Sequence, residues 1–163
     1  MPETNTTEYR LAITHTIQEV ARAFDDKLHH ELLPQVFTDD ASVLYRLRGQ
    51  RFDFSMPDGP AKVKYFHDRC YWTQHLVSPQ VMSVDGDRAI ARSPVHALHL
   101  QIRDDGSQNH WVIGAVYHDE LVRQNGQWRI AKRLALCPYV EGDFLTDGVR
   151  TFPVLPDLDS ETI

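Results

Sequence analysis

The chain has 163 residues, of which 42% are hydrophobic and 25% charged, with a formal net charge of −6. This length suits one domain with a sizeable core, and the composition is ordinary for a globular protein. The acidic balance, with no Lys/Arg run, argues against a nucleic-acid partner, and no stretch is apolar over the length that a membrane-spanning helix needs.

Met1 to Thr7 is polar, carries Glu3 and reads as disordered. It lacks the basic and apolar regions of a signal peptide, so the expected location is the cytoplasm. From about Glu8 the pattern becomes helical. Ile13, Ile17, Val20, Phe24 and Leu28 recur at three- and four-residue spacing, which puts them on one helical face. Thr7 is a candidate N-cap, and the helix is expected to end or bend near Asp25-Asp26. A second short helix covers about Lys27 to Phe37, with Pro34 kinking it or sitting near its start. Phe37-Thr38-Asp39-Asp40-Ala41 reads as a helix end entering a strand, Ser42 to Arg48, closed by a Gly49 turn. A loop with Pro57, Gly59 and Pro60 follows. A third helix then runs from about Ala61 to Tyr71, with Pro60 suited to its first turn.

The second half is punctuated by Asp85-Gly86, Asp105-Gly106 and Asn125-Gly126. Such dipeptides tolerate the positive φ of hairpin turns. They separate long strands at about Thr73–Val84, Arg88–Arg103, His110–Gln124 and Gln127–Val140. Four long strands behind a helical first half predict an α+β cone: a curved, mixed-to-antiparallel sheet wrapped around the N-terminal helices. Residues 1–163 read as one domain with its core at about 8–140. The irregular tail, 141–163, wraps over its own domain or a neighbouring subunit.

Cys70 and Cys137 are far apart and form no Cys/His spacing of a zinc site, so they read as free thiols and no metal is expected. Of the nine histidines, His29 and His30 fall on a helix and read as solvated. The strand histidines His75, His96, His99, His110 and His118 are the informative ones.

Several strings, in order, resemble a known family. They are Phe24-Asp25-Asp26, Phe37-Thr38-Asp39-Asp40-Ala41, Thr73-Gln74-His75, Val84-Asp85-Gly86-Asp87-Arg88-Ala89, Tyr117-His118-Asp119-Glu120-Leu121-Val122-Arg123 and Gly126-Gln127-Trp128-Arg129-Ile130-Ala131-Lys132-Arg133. Together they are similar to the SnoaL-like branch of the NTF2-like (cystatin-like) superfamily over about residues 8–140. That superfamily holds scytalone dehydratases, lindane dehydrochlorinases, cyclases, isomerases, β-subunits of ring-hydroxylating dioxygenases and non-catalytic modules, so fold alone does not fix activity.

The resemblance implies an Asp–His dyad, with Asp26 (Asp25 as the alternate) and His75. It implies Arg133 as a helper of the leaving group. It implies His99, or with a shift His96, as a second histidine against the substrate. Positions that scytalone dehydratase fills with polar residues late on its last strand carry Ala135 and Cys137 here, a departure from that pattern.

Strand alternation adds Val95 and Ala97 beside His99, then Ile113, Ala115 and Tyr117, then Arg133, Ala135 and Cys137, as one cavity-facing set. A largely apolar hollow with a few convergent polar groups suits a small hydrophobic or aromatic ligand. An imidazole near its ordinary pKa of ~6.5, oriented by a carboxylate, is a competent general base and requires no cofactor. The residues leave other roles open: Asp26 as a helix N-cap, Arg133 as an ordinary ion pair, and Trp111, Trp128, Tyr45 and Phe66 as core or subunit contacts. The expected activity is a cofactor-independent lyase or isomerase acting on a ring compound. The alternative is a ligand-binding module or a dioxygenase β-subunit-like scaffold. By resemblance, a homodimer or homotrimer is expected.

Overall fold

The computed structural model describes residues 6–157. Most of the N-terminal stretch expected to be disordered, residues 1–5, and the end of the tail, residues 158–163, lie outside the described residues. Three helices precede and interrupt the sheet: α1 (Thr6–Asp25), α2 (His29–Val36) and α3 (Gly59–His67). Thr7 is inside α1, not capping it. The stripe Ile13, Ile17, Val20 and Phe24 is buried, as the 3.6-residue period requires.

The strands are β1 (Phe37–Leu47), β2 (Gln50–Ser55), β3 (Trp72–Val77), β4 (Val81–Asp85), β5 (Arg88–Ile102), β6 (Gln108–Gln124) and β7 (Gln127–Gly142). They form one sheet in the order β2-β1-β7-β6-β5-β3, with β4 also pairing with β5. β1 runs parallel to β7, and the other pairs are antiparallel. The sheet is therefore mixed. It curves around the helices, leaving a cone that is open at one end.

Three parts of the sheet differ from expectation, the first being β1, which begins at Phe37 and not at Ser42. The long strand expected over 73–84 is broken at Ser78-Pro79, because proline has no N–H to donate to β5; the two pieces, β3 and β4, pair separately with that strand. β2, expected as loop, is the return arm of a hairpin on β1, turned at Gly49 with φ 74°. The three dipeptides all mark turns, with different geometry. Asn125 and Gly126 both have positive φ, 51° and 81°, the type I′ pattern. In the first hairpin Asp85 pairs with Arg88, so Gly86-Asp87 is the central pair, and only Gly86 has positive φ. Gly106 lies in a longer loop between Ile102 and Gln108.

The core divides in two. At the narrow end, Ile13, Ile17, Phe24, Phe37, Leu121 and Ile130 pack without access to solvent or nearly so. A smaller cluster of Val95, Ile113, Ala115, Tyr117, Ala135 and Cys137 lines the inner face of β5, β6 and β7 toward the mouth. The first cluster supports the fold. The second forms one wall of a hollow.

Candidate active site

Between that wall, α3 and the β1–β2 hairpin lies a cavity of about 270 Å³. Its apolar surface comes from Val95, Ala97, Ile113 and Ala115 on the sheet, and from Phe52, Phe54 and Phe66 opposite. His67, His75, His99, Tyr45 and Tyr117 are among the polar residues of its lining. A concave, mostly apolar site with a few converging polar groups is the usual form of a small-molecule pocket.

The acid beside His75 is Asp25, not Asp26. Asp25 Oδ1 lies 2.7 Å from His75 Nδ1, and Oδ2 accepts the His75 backbone N–H at 2.8 Å. Thr73 Oγ1 donates to Oδ1 at 3.1 Å. Three donors from one short stretch of β3 thus fix the carboxylate. Because a carboxylate only accepts, Nδ1 of His75 carries the proton and Nε2 is the basic nitrogen. The ring packs edge-on against His99 and tilted against Phe24, with centroids 5.3 Å and 5.2 Å away. Asp26 instead makes an ion pair with Arg22 on the outer surface at 3.3 Å. The reason is helical phase. Asp25 stands four residues after the buried Ala21, whereas Asp26 stands four after the exposed Arg22.

The end of α1 is a Schellman turn, with Leu28 N–H bonded to Ala23 C=O and Lys27 N–H to Phe24 C=O. Lys27 occupies the left-handed position with φ 57°, where glycine is usual. Its ammonium reaches inward to the carbonyls of His67 at 2.6 Å and Cys70 at 3.0 Å. Burial lowers its pKa. This tie pins the end of α3 to the junction of α1 and α2. It also brings His67 against His29, whose Nε2 lies 2.9 Å from His67 Nδ1. His29, expected on a solvated face, is 1% exposed. Burial above all lowers its pKa to about 4 and holds that of His67 well below the ordinary value.

His99 is buried against Trp111, with ring centroids 4.9 Å apart, and burial lowers its pKa to about 3. His96 points to the other, exposed face of β5, as do His110 and His118 on β6.

Arg133 does not line the cavity. It lies beneath it, with Nε and Nη2 bonded to Asp119 at 2.7 Å and 2.8 Å, both side chains fully buried. Burial opposes its charge, but Asp119 outweighs this and the net shift is upward, so the guanidinium stays charged. Its carbon centre sits 4.2 Å from the centroid of the Tyr117 ring, and Nη1 has no hydrogen-bond partner among the described residues. Tyr45 stands edge-on to Tyr117 at 5.9 Å. Burial raises the pKa of both phenols, so they remain donors.

Past β7 the chain turns at Gly142, where φ is 74° and a side chain would collide with the His110 carbonyl. The following segment is fastened over the cone. Gln101 donates to Leu145 C=O at 2.8 Å and accepts from Leu145 N–H at 2.9 Å, and Asn109 donates to Asp143 C=O at 2.8 Å. Phe144 thereby joins Trp111 and Phe66 at the rim.

Of the expected site residues, His75, His99, Tyr117, Val95, Ala97, Ile113, Ala115 and Cys137 line the cavity. Ala135 is wholly buried behind that lining. Tyr45, Phe66 and Trp111, read as core or subunit contacts, are cavity walls, while Trp128 is core. The sequence reads His29 as solvated and carries no signal for His67, yet both are buried. Their pairing depends on the α1–α2 turn and leaves no local pattern in the sequence. Among the described residues no cluster of His, Cys, Asp or Glu is arranged to hold a metal ion, and both cysteines are free. No helix among them is long and apolar enough to cross a membrane.

A helix-wrapped, cone-shaped α+β sheet with a lined hollow is an NTF2-like fold. Within that class, residues 5–134 match the model of the SnoaL-like domain, and the chain belongs to that family. The Kfla4162 protein of Kribbella flavida is similar over 84% of this chain and 95% of its own, with 23% identity and a TM-score of 0.74. A scytalone dehydratase-like protein of Novosphingobium aromaticivorans is similar over 99% and 100%, with 23% identity and a TM-score of 0.73. A hexachlorocyclohexane dehydrochlorinase of Novosphingobium barchaimii is similar over 91% and 97%, with 20% identity and a TM-score of 0.67. These likenesses show the fold. A comparison with curated proteins gives no match.

Proposed function

We propose that the chain is a lyase or isomerase that removes a carbon-bound proton from a small hydrophobic ring compound, with His75 as general base and Asp25 as the acid that orients it. The observation that carries this reading is the Asp25–His75 hydrogen bond of 2.7 Å at the wall of a largely apolar cavity. In the step, His75 Nε2 takes the proton. The C–H electron pair then forms a double bond as hydroxide or halide departs, or it moves onto an adjacent carbonyl oxygen. Asp25 stabilises the resulting imidazolium. The phenol of Tyr117 supplies a hydrogen bond to the developing anion, with Tyr45 packed edge-on behind it. Arg133 acts through Tyr117, over whose ring it lies, and not by touching the ligand. His99 contributes a neutral, ligand-facing imidazole.

Relatives named for scytalone dehydration and hexachlorocyclohexane dehydrochlorination set the first compounds to try. The open hollow favours this reading over a scaffold role, which needs no acid–base pair at its wall. The expected homodimer or homotrimer fits the outer sheet face, where Leu76, Val81 and Ile90 are 56%, 72% and 61% exposed. The test is NMR in D2O with hydroxylated bicyclic ketones and chlorinated cyclohexanes. Loss of water, loss of chloride or deuterium entry at carbon, abolished by His75→Ala, is the expected result. Turnover that survives His75→Ala overturns the reading.

A further inference from the structure

We propose that His29 and His67 form a neutral relay that presents the Nε2–H of His67 as a hydrogen-bond donor in the cavity, facing an acceptor oxygen of the ligand. It rests on the reading above for the kind of ligand, but not for the state of the histidines.

The two rings share one hydrogen bond, His29 Nε2 to His67 Nδ1 at 2.9 Å, so a single proton lies between them. Two tautomeric arrangements exist. In one, His67 donates, His29 Nδ1 carries the second proton, and that N–H is buried without an acceptor, since His29 Nδ1 has no partner among the described residues. An orphaned buried donor costs its full desolvation. In the other, His29 donates, its Nδ1 is a bare lone pair, and His67 carries its proton on Nε2. Nδ1 is the ring nitrogen nearer the backbone, and His29 opens α2. The free peptide N–H groups of a helix start make the local potential positive, which favours a lone pair over an N–H there. The ammonium of Lys27, fixed on the His67 carbonyl, adds to that potential. The second arrangement wins.

Its consequence falls on the ligand. His67 lines the cavity, and its ring centroid lies 6.1 Å from His75 and 5.9 Å from His99. Its Nδ1 is turned to α2, so Nε2 is the nitrogen left for a guest. A neutral N–H polarises a carbonyl or ether oxygen without competing with His75 for the proton that His75 removes. The site therefore selects ring compounds that carry an acceptor oxygen on the side of α3, over plain hydrocarbons of the same shape. His67 is a ligand-binding residue in this scheme, and His29 is a positioning residue.

Long-range proton–nitrogen NMR of the ¹⁵N-histidine-labelled chain reads the tautomer directly and needs no variant. The expected spectrum shows His67 protonated on Nε2 and bare on Nδ1 from about pH 5 to about pH 8. A protonated Nδ1 overturns the proposal. Calorimetry with α-tetralone, which only accepts hydrogen bonds, against tetralin gives the second reading. Wild type is expected to prefer the ketone, and His67→Phe to lose roughly 5- to 10-fold of that preference, the usual worth of one hydrogen bond. An unchanged preference overturns the proposal. His29→Leu is expected to mix the His67 tautomers, and His29→Gln, whose amide can still donate, to restore one. Equal spectra for all three overturn the role of His29. His75→Ala separates the two readings. It removes turnover if the dyad is the base, yet leaves the His67 tautomer and the ketone preference in place.

Discussion

Asp25 holds His75 twice, by its backbone N–H at 2.8 Å and by its ring Nδ1 at 2.7 Å. The acid therefore fixes both the path of β3 and the tautomer of the imidazole. Replacing it by an amide of the same shape tests the second effect. Asp25→Asn is expected to keep the fold, judged by near-ultraviolet circular dichroism. It is expected to lower turnover by roughly 10²-fold or more, because an amide cannot stabilise the imidazolium. His75→Gln is expected to fall at least as far.

The buried pair Arg133–Asp119 makes a stability prediction. Asp119→Asn leaves a fully buried guanidinium without its counter-charge and is expected to cost about 3–5 kcal/mol in urea unfolding. Removing both charges with Arg133→Met and Asp119→Leu is expected to cost less than Asp119→Asn alone. A double variant less stable than Asp119→Asn contradicts this view of the pair.

The buried histidines set a pH dependence. Burial lowers His29 to about 4 and His99 to about 3, from an unfolded value near ~6.5. Below about pH 6.5 the unfolded chain takes up protons that the folded chain refuses, so stability falls as pH falls. The contribution is complete above about pH 6.5 and is lost through the folded values. By pH 4 roughly 3 kcal/mol of it has been lost for each residue. The urea midpoint is expected to drop between about pH 7 and about pH 4.5, and His29→Gln is expected to shrink that drop. Equal midpoints contradict the assignment.

Gln101 ties the segment after β7 to the cone through both polar groups of Leu145. Gln101→Leu is expected to expose the Leu145 amide to hydrogen exchange, with a loss of about 1–3 kcal/mol in local protection. Amides in the middle of β6 are expected to change little. If Leu145 stays protected, the tie lies elsewhere.

Periodicity made most of the fold legible. The stripe from Ile13 to Phe24 and the alternation along β5, β6 and β7 were readable because helices and strands each bury one face. The lining residues Val95, Ala97, Ile113, Ala115 and Tyr117 follow from that alternation once the resemblance places His99 on the inner face. β2 was not legible. Its string Gln50-Arg51-Phe52-Asp53-Phe54 is short and polar and acquires its pairing only from β1. Asp25 against Asp26 was decidable from helical phase, since Asp25 follows Ala21 by one turn. The position of Arg133 was not. A bulge shifts the β6–β7 register between Glu120 and Leu121, so Ile130 and Arg133 both turn inward, and Asp119 captures the guanidinium before it can reach the cavity. The His29–His67 pair depends on Lys27 in a left-handed turn, a tertiary event with no local signature.

The most direct measurement compares initial rates of Asp25→Asn and Asp26→Asn with wild type on whichever ring compound the chain converts. The geometry predicts a fall of roughly 10²-fold or more for Asp25→Asn. For Asp26→Asn it predicts a rate near that of wild type, because Asp26 faces Arg22 on the outside. Asp25→Asn turning over at the wild-type rate, or Asp26→Asn losing activity in its place, contradicts the assignment of the dyad.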